Sequence, residues 1–318
     1  MKESDLYLWP SDFFPFRHYL NHDNCRIFII ENIEHNYKWL KEVKDEIKET
    51  DYFFVLAGWF FDESAAKKSK FTIESLGLNP KQFFILFNSH EENIHGFEYG
   101  LHGDLINQNA WLDERKFKIL NVEKKYNALY TARRSAFKRH FLCSKINGLA
   151  LAAGGNNHGK DVCEIPDCMN DPNKKYDRTE MVSLINESAC GLCLSEVEGA
   201  CFSSSEYLLC GVPVVSTQSQ GGRDFWYNIN NSIITEADPD DVAKAVSRVK
   251  GKYFNAKNIR ETHIKQMVIC RIKLIKVLSD IFEKHKVEIN AGSFFENNFY
   301  EKMRKSKHYN EVINIFKG

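Results

Sequence analysis

Two carboxylates with the right placement to hold a ligand rich in hydroxyls lie in the stretch LSEVEGACFSSSEYLLCGVPVVSTQSQGGRD, from Leu194 to Asp224. Glu198 sits on the turn Glu198-Gly199-Ala200, where an apolar, strand-like run ends and a helix begins. Glu206 lies about two turns further along that helix. Tyr207, Leu208 and Leu209 supply apolar positions, Gly211 stops the helix, and Pro213 opens another strand. In parallel α/β sheets, ligands bind outside the carboxyl ends of strands. A helix starting there turns unpaired N–H groups and its positive dipole end toward a phosphate. Gly199 leaves room for close approach, Glu198 can accept hydrogen bonds from sugar hydroxyls, and Glu206 can grip the two hydroxyls of a ribose. The spacing fits a nucleotide-sugar lying along the helix, although a pair of solvated helix acids would also place Glu198 favourably near a helix N-terminus.

This stretch resembles the signature of retaining GT-B glycosyltransferases related to glycogen and sucrose synthases. That signature has two glutamates separated by seven residues, then a helix, a Gly-x-Pro-Val strand and a Gly-Gly loop. Glu198 and Glu206 stand at that separation, and Gly211, Pro213, Val214, Gly221 and Gly222 match as well. The resemblance implies that Glu198 contacts the donor sugar and Glu206 the ribose. It also implies that the backbone of Gly199, Ala200, Cys201 and Phe202 meets the sugar and the diphosphate. The family commonly has Gly-Phe-Gly after its first glutamate, whereas Gly199 is followed here by Ala200 and Cys201, which implies a sugar pocket of different shape.

The same resemblance extends upstream, where the strand YNALYTA runs into Arg133-Arg134-Ser-Ala-Phe-Lys138-Arg139. Family members carry an arginine just after the first strand of the second domain and a lysine a few residues later, both on the donor diphosphate. Arg133 and Lys138 are the best matches, and Arg134 or Arg139 could substitute for either. Breaking a sugar–phosphate bond leaves negative charge growing on the diphosphate, which fixed cations stabilise in the transition state. Asn156, in the Asn156-Asn157-His158-Gly159 turn after LALAAGG, is a candidate for the base or ribose pocket, or a polar turn without a ligand.

No Asp-x-Asp motif stands at a strand end, and Asp238-Pro-Asp240-Asp241 reads as a capped helix start. The resemblance implies transfer without a catalytic metal, so neither a metal nor a cofactor beyond the nucleoside diphosphate sugar donor is expected. Cys190 and Cys193 fall three apart in a strand-like run, pointing to opposite faces, which suits neither a chelate nor a dithiol. Nine cysteines is an odd number for a disulfide framework, and several lie inside apolar runs, as reduced core residues do.

Short apolar runs bounded by turn residues must position these groups: CRIFII from Cys25, YFFVLA from Tyr52, FFILF from Phe83, YNALYTA from Tyr126, LALAAGG from Leu149, CGLCLS from Cys190 and VPVVST from Val212. Helix-compatible stretches such as Tyr37 to Glu49 and Glu180 to Ser188 lie between them. Strands alternating with helices predict an α/β fold with mainly parallel sheets covered on both faces. The family resemblance implies a GT-B-like architecture, with two Rossmann-like doubly wound domains facing a cleft and the N-terminal one shortened. Residues 1–122 form the acceptor-side domain, 123–250 the donor-binding domain, and 251–318 helices that pack back across both. In this third segment, His263 to Val287 has the spacing of a long amphipathic helix interrupted by Arg271, and a broken helical segment runs from Phe294 to Phe316.

The N-terminal part offers no motif of comparable strength. His90 ends FFILFNSH, and GLHGDL supplies His102 and Asp104; each is either an acceptor-side residue facing the cleft or a turn residue. With 318 residues, 43% apolar and 13% aromatic content, the whole chain should fold. Equal totals of 43 basic and 43 acidic residues give nothing global for a nucleic-acid partner. The acceptor is expected to be a glycan or glycolipid. The Lys-rich C-terminal helices are a solvated surface or a peripheral membrane contact. The opening MKESDLYLWP cannot act as a secretory signal, so a cytoplasmic location is expected. A nucleotide-sugar-binding scaffold that has lost turnover is the competing reading, kept open by the shortened first domain.

Overall fold

A computed structural model of the chain describes residues 1–8, 19–154, 162–252, 254–300 and 307–317. The chain divides into two compact units, Met1–Trp111 with Ile269–Gly318, and Leu112–Val268. The first unit thus resumes within the C-terminal helical segment, and its initial stretch ends ahead of the boundary expected near residue 122.

The first unit holds a five-stranded sheet of β1 (Tyr19–Asn21), β2 (Arg26–Glu31), β3 (Asp51–Leu56), β4 (Phe83–Phe87) and β5 (Gly103–Leu105). They are arranged in sequence order, with β1 antiparallel and the rest parallel. Between strands run α1 (Tyr37–Val43), α2 (Glu63–Leu76) and α3 (His90–Glu98). Right-handed crossovers in a sheet whose order only advances bring the connecting helices to one face. Alternate strand residues Phe28, Ile30, Phe53, Val55, Phe83 and Ile85 accordingly form one buried cluster with Trp39, Leu40 and Ile73.

The second unit holds β6 (Ala128–Thr131), β7 (Leu149–Ala152), β8 (Gly191–Cys193), β9 (Val214–Thr217) and β10 (Ser232–Thr235), all parallel, in the order β10-β9-β8-β6-β7. Counted within the unit this is the doubly wound order 2-1-3-4-5, whose direction reverses between β6 and β8. Helix α4 (Arg178–Asn186) begins with a capping box between Asp177 and Glu180. Helix α5 (Phe202–Leu209) follows β8. Asp238 caps α6 (Pro239–Gly251), accepting from the N–H groups of Asp240 and Asp241 at 2.8 and 3.2 Å, as the sequence predicts.

Helix α7 (Ala256–Lys284) starts in the second unit, where Arg260 ties it to the carbonyls of Glu114, Phe117 and Leu209. Helices α8 (Ala291–Asn298) and α9 (Tyr309–Lys317) belong to the first unit. Phe316 of α9 stacks on Phe28, centroids 4.6 Å apart, and Arg26 donates to the Ile315 carbonyl at 2.8 Å. Among the described residues no helix is long and apolar enough to cross a membrane.

Candidate functional site

Helix α5 opens the crevice at the switch point of the second sheet. Its Tyr207 ring lies flat against Gly191 of β8, where a Cβ would stand 2.1 Å from the ring. The Tyr207 hydroxyl then enters the sheet, accepting from Thr131 N–H at 2.9 Å and donating to the Leu129 carbonyl at 3.3 Å. Strands β6 and β8 share only the Leu129–Gly191 register pair, so their carboxyl ends part above it. The loops that leave those two ends carry Lys138 and Glu198.

The loop after β8 is clamped to the loop after β9. Val197 and Gln220 form an isolated parallel bridge, and the Glu198 N–H donates to the Gln220 carbonyl at 3.0 Å. Gly221 closes the clamp at φ 96°, a left-handed conformation suited to glycine. A Cβ there would lie 2.0 Å from the Glu198 carbonyl oxygen. The Gly-Gly element of the motif therefore has a local cause: it lets this loop cross the backbone of Glu198.

Both oxygens of Glu198 are engaged. Lys138 Nζ donates to Oε1 and the Ser195 hydroxyl to Oε2. The Lys138 and Glu198 side chains are 12% and 15% exposed, in reach of a ligand yet largely desolvated. Lys138 is held from behind, its carbonyl accepting from the Tyr130 hydroxyl at 2.5 Å. Arg133 is exposed, its guanidinium 5.2 Å from the centre of the Phe137 ring, and Lys138 Nζ lies 5.0 Å from that same ring. The structure thus brings Arg133, Lys138 and Glu198 to the crevice where the sheet order reverses.

Other candidates are placed differently. Arg134 donates to Asn173 Oδ1 at 2.7 Å. Arg139, at φ 52°, turns toward the strand ends and donates to the Leu194 carbonyl at 2.6 Å and Thr217 Oγ1 at 2.9 Å. Those bonds tie the residue after β8 to the end of β9. Glu206 is buried on α5. Gly199 and Ala200 are buried on the turn, Cys201 occupies the N-cap of α5 at φ 51°, and Phe202 starts the helix. The Cys193 thiol, hydrogen-bonded to Cys201, holds the Cys201 thiol below its ordinary range. Asn156 lies outside the described residues.

Sequence reasoning missed Ser195 and the part played by Arg223. Arg223 is fully buried and donates to the Ser195 carbonyl at 2.5 Å, the Ser195 hydroxyl at 3.3 Å, the Thr217 carbonyl and Asp224 Oδ1 at 2.8 Å. Burial opposes its charge, but Tyr227 and Asp224 outweigh that and hold it protonated above the ordinary range. The available signal was a cation placed directly after Gly221-Gly222 and beside an acid. Among the described residues, no group of three His, Cys, Asp or Glu could hold a metal.

In the first unit, His90 is the first residue of α3, just past the carboxyl end of β4. His102 precedes β5 and so stands at the amino end of that strand, while Asp104, within β5, accepts from Lys273 Nζ at 2.7 Å. Lys276 and Lys307 of the basic C-terminal segment also pair locally, with Asp280 and Glu311. The structure does not bring His90, His102 and Asp104 to one strand end.

Neither a family model nor a curated protein matches this sequence. Solved structures do. Alr3699/HepE of Anabaena in complex with UDP is 10% identical, with 79% of this chain and 78% of that chain covered, at a TM-score of 0.54. Sucrose-phosphate synthase (tll1590) from Thermosynechococcus elongatus is 10% identical over 81% and 74%, at 0.58. An alpha,alpha-trehalose-phosphate synthase (UDP-forming) from Burkholderia vietnamiensis is 9% identical over 82% and 74%, at 0.51. The fold is GT-B. The alternating strand and helix pattern holds in both units, but only the second is doubly wound as expected; the first advances without a reversal and its β1 is antiparallel, and the switch point in the second unit lies where the Glu198 motif places its turn.

Proposed function

We propose that this chain transfers a sugar from a nucleoside diphosphate sugar to an acceptor hydroxyl, with retention at the anomeric carbon. The observation that carries the reading is the pairing of Lys138 with Glu198 at the switch-point crevice of the second sheet. A nucleotide-sugar needs a cation for its diphosphate and a carboxylate for its sugar hydroxyls within one ligand length. Here both are side by side in front of α5. Fold neighbours add support, since Alr3699/HepE is described with UDP and with UDP and glucose.

In this reading Lys138 and Arg133 bind the diphosphate, with the backbone of Gly199 to Phe202 at the start of α5. Glu198 orients the sugar through its hydroxyls and Glu206 receives the ribose. The acceptor hydroxyl attacks the anomeric carbon on the face from which the diphosphate departs. The carbon–oxygen bond to the acceptor forms as the bond to phosphate breaks, and the acceptor proton passes to the departing phosphate oxygen. Lys138 and Arg133 stabilise charge that grows on that oxygen, so their effect is larger in the transition state than in the bound donor. No metal is needed for this role, and the acceptor is proposed to be a glycan or glycolipid in surface polysaccharide assembly.

Thermal melting of the purified chain against UDP, GDP, ADP, CMP and TDP, repeated with Glu206→Ala, tests the site. One nucleotide is expected to raise the melting temperature by ligand linkage and to lose that effect in the variant. Turnover with release of that nucleotide separates the enzyme from a nucleotide-sugar-binding scaffold. No shift with any nucleotide overturns the donor site.

A further inference from the structure

The cation meant for a phosphate and the carboxylate meant for a sugar neutralise one another in this structure. Lys138 Nζ bonds Glu198 Oε1, and the carboxylate's other oxygen is taken by Ser195, itself braced by buried Arg223. Arg133, exposed over Phe137, takes no part in that pair. A diphosphate entering the crevice competes with Glu198 for Lys138. When it succeeds, Glu198 is left with one hydroxyl donor, facing a new negative charge in a largely desolvated place. A diphosphate that carries a sugar brings hydroxyl donors to the carboxylate and removes this penalty. A bare diphosphate does not.

We propose that Glu198 is an internal counter-ion that makes the site discriminate between a diphosphate bearing a sugar and a bare one. The inference rests on the donor-site reading above and extends it to product release. Once the sugar has gone to the acceptor, Glu198 loses its hydroxyl partners and reclaims Lys138, and the spent nucleotide is displaced.

The test is isothermal titration of the full chain with inorganic pyrophosphate, a probe that requires no knowledge of the base. Glu198→Gln keeps the shape of the side chain and one oxygen to accept from Ser195, but removes the charge that holds Lys138. It should bind pyrophosphate about tenfold more tightly than the wild type, between the worth of an exposed and a buried ion pair. Combining Glu198→Gln with Lys138→Met should abolish the gain. Arg133→Ala should lower the affinity of the wild type and of Glu198→Gln by the same factor.

If Glu198→Gln does not fold, Ser195→Ala serves instead. Removing one partner of the carboxylate strengthens its hold on Lys138, so pyrophosphate should bind more weakly than to the wild type. Equal, measurable affinity in the wild type and Glu198→Gln overturns the counter-ion role while leaving the diphosphate site standing. Binding to neither overturns both.

Discussion

At the carboxyl edge of the first sheet, polar side chains are spent on the backbone. Asn88 and Gln108 donate to the Ala57 carbonyl at 2.8 and 2.9 Å, Asn107 donates to the Asn88 carbonyl at 2.9 Å, and Glu92 accepts from the N–H groups of Asn88 and Phe61. All of these side chains are buried. At the carboxyl edge of the second sheet, buried Arg223 and Ser195 do that bracing work, and a further tier of Lys138, Glu198 and Arg133 reaches toward solvent. The topologies explain the difference. Where strand order advances without reversing, neighbouring loops follow one another along the edge and cross-link. Where it reverses between β6 and β8, loops leave in opposite directions and a crevice remains for ligand-facing groups.

The largest expected effect breaks the second edge and spares the first. Lys138→Ala should lower kcat by about 10³-fold, the scale of losing one preorganised transition-state donor, with a smaller change in donor KM. His90→Ala, at the carboxyl end of β4, should cost about tenfold or less, in keeping with loss of one acceptor contact. Steady-state kinetics on both variants compares the edges directly. A larger loss at His90 would reverse the assignment of chemistry to the second unit.

Next in size are two glycines, one in each unit. Gly221→Ala places a methyl on the Glu198 carbonyl at a positive φ, and about 3 kcal/mol of stability should go with it. The nucleotide-dependent rise in Tm should vanish as well, because the clamp that sets Glu198 is the part disturbed. Gly103→Ala also meets backbone, with a Cβ 2.3 Å from the Ile85 carbonyl oxygen, and should destabilise similarly. It lies in the first unit, so the rise in Tm on nucleotide binding should persist. Melting curves with and without nucleotide separate the cases.

Much of the second edge could be read from the chain because its constraints are local. Glycine at residue 211 (φ 70°) and at 221, proline just before β9, and two glutamates, one on the turn ahead of α5 and one within it, register within about thirty residues as a single pattern. Seven apolar runs became seven strands for the same reason: each strand holds three to five consecutive buried residues, visible as apolar letters without any knowledge of partners. β5, three residues of Gly-Asp-Leu, and β10, half-exposed, have no such run and were missed. So were Ser195 and Arg223, whose value lies in contacts among three loops. Helix α2 is strongly polar, and its best signal was Asp62, an N-cap that accepts from Ala65 N–H at 2.8 Å.

Two buried titratable groups, Glu92 at the first edge and His140 at the second, respond oppositely to pH. Burial pushes the Glu92 carboxyl from its ordinary 4.5 up to about 7. Between those values the folded chain keeps a proton that the unfolded chain has released, so stability falls as pH rises through the window. Burial pushes His140 from 6.5 down to about 4, beside the Ala132 carbonyl at 3.3 Å. Between those values the unfolded chain holds a proton that the folded chain refuses, so stability falls as pH drops. Each is worth on the order of 3 kcal/mol across its window. Hydrogen exchange resolved by segment should show the backbone around Asn88 and Glu92 loosening toward pH 7 and that around His140 toward pH 4, with His35, also pushed down to about 4 by burial, adding a low-pH response in the first unit. Glu92→Gln should flatten the first response alone.

The smallest effect concerns the two ends of a single strand. His102 stands before β5, and its carbonyl accepts from Ile85 N–H at 2.8 Å while its side chain is exposed. A ligand site on a parallel sheet forms beyond the carboxyl ends because loops and helix N-termini converge there; the amino ends present helix C-termini, which repel anions. His102→Ala should therefore leave kcat and both KM values within about twofold of the wild type and stability within about 0.5 kcal/mol, as for an exposed substitution away from any site. Asp104→Asn, in the same segment, should loosen the tether of Lys273 to β5 by well under 1 kcal/mol, the worth of a half-exposed ion pair. Both substitutions can be read in one set of kinetic assays and melts. An acceptor KM raised several-fold by His102→Ala would place substrate at the amino end of β5, and strand polarity would then no longer explain why the two edges differ.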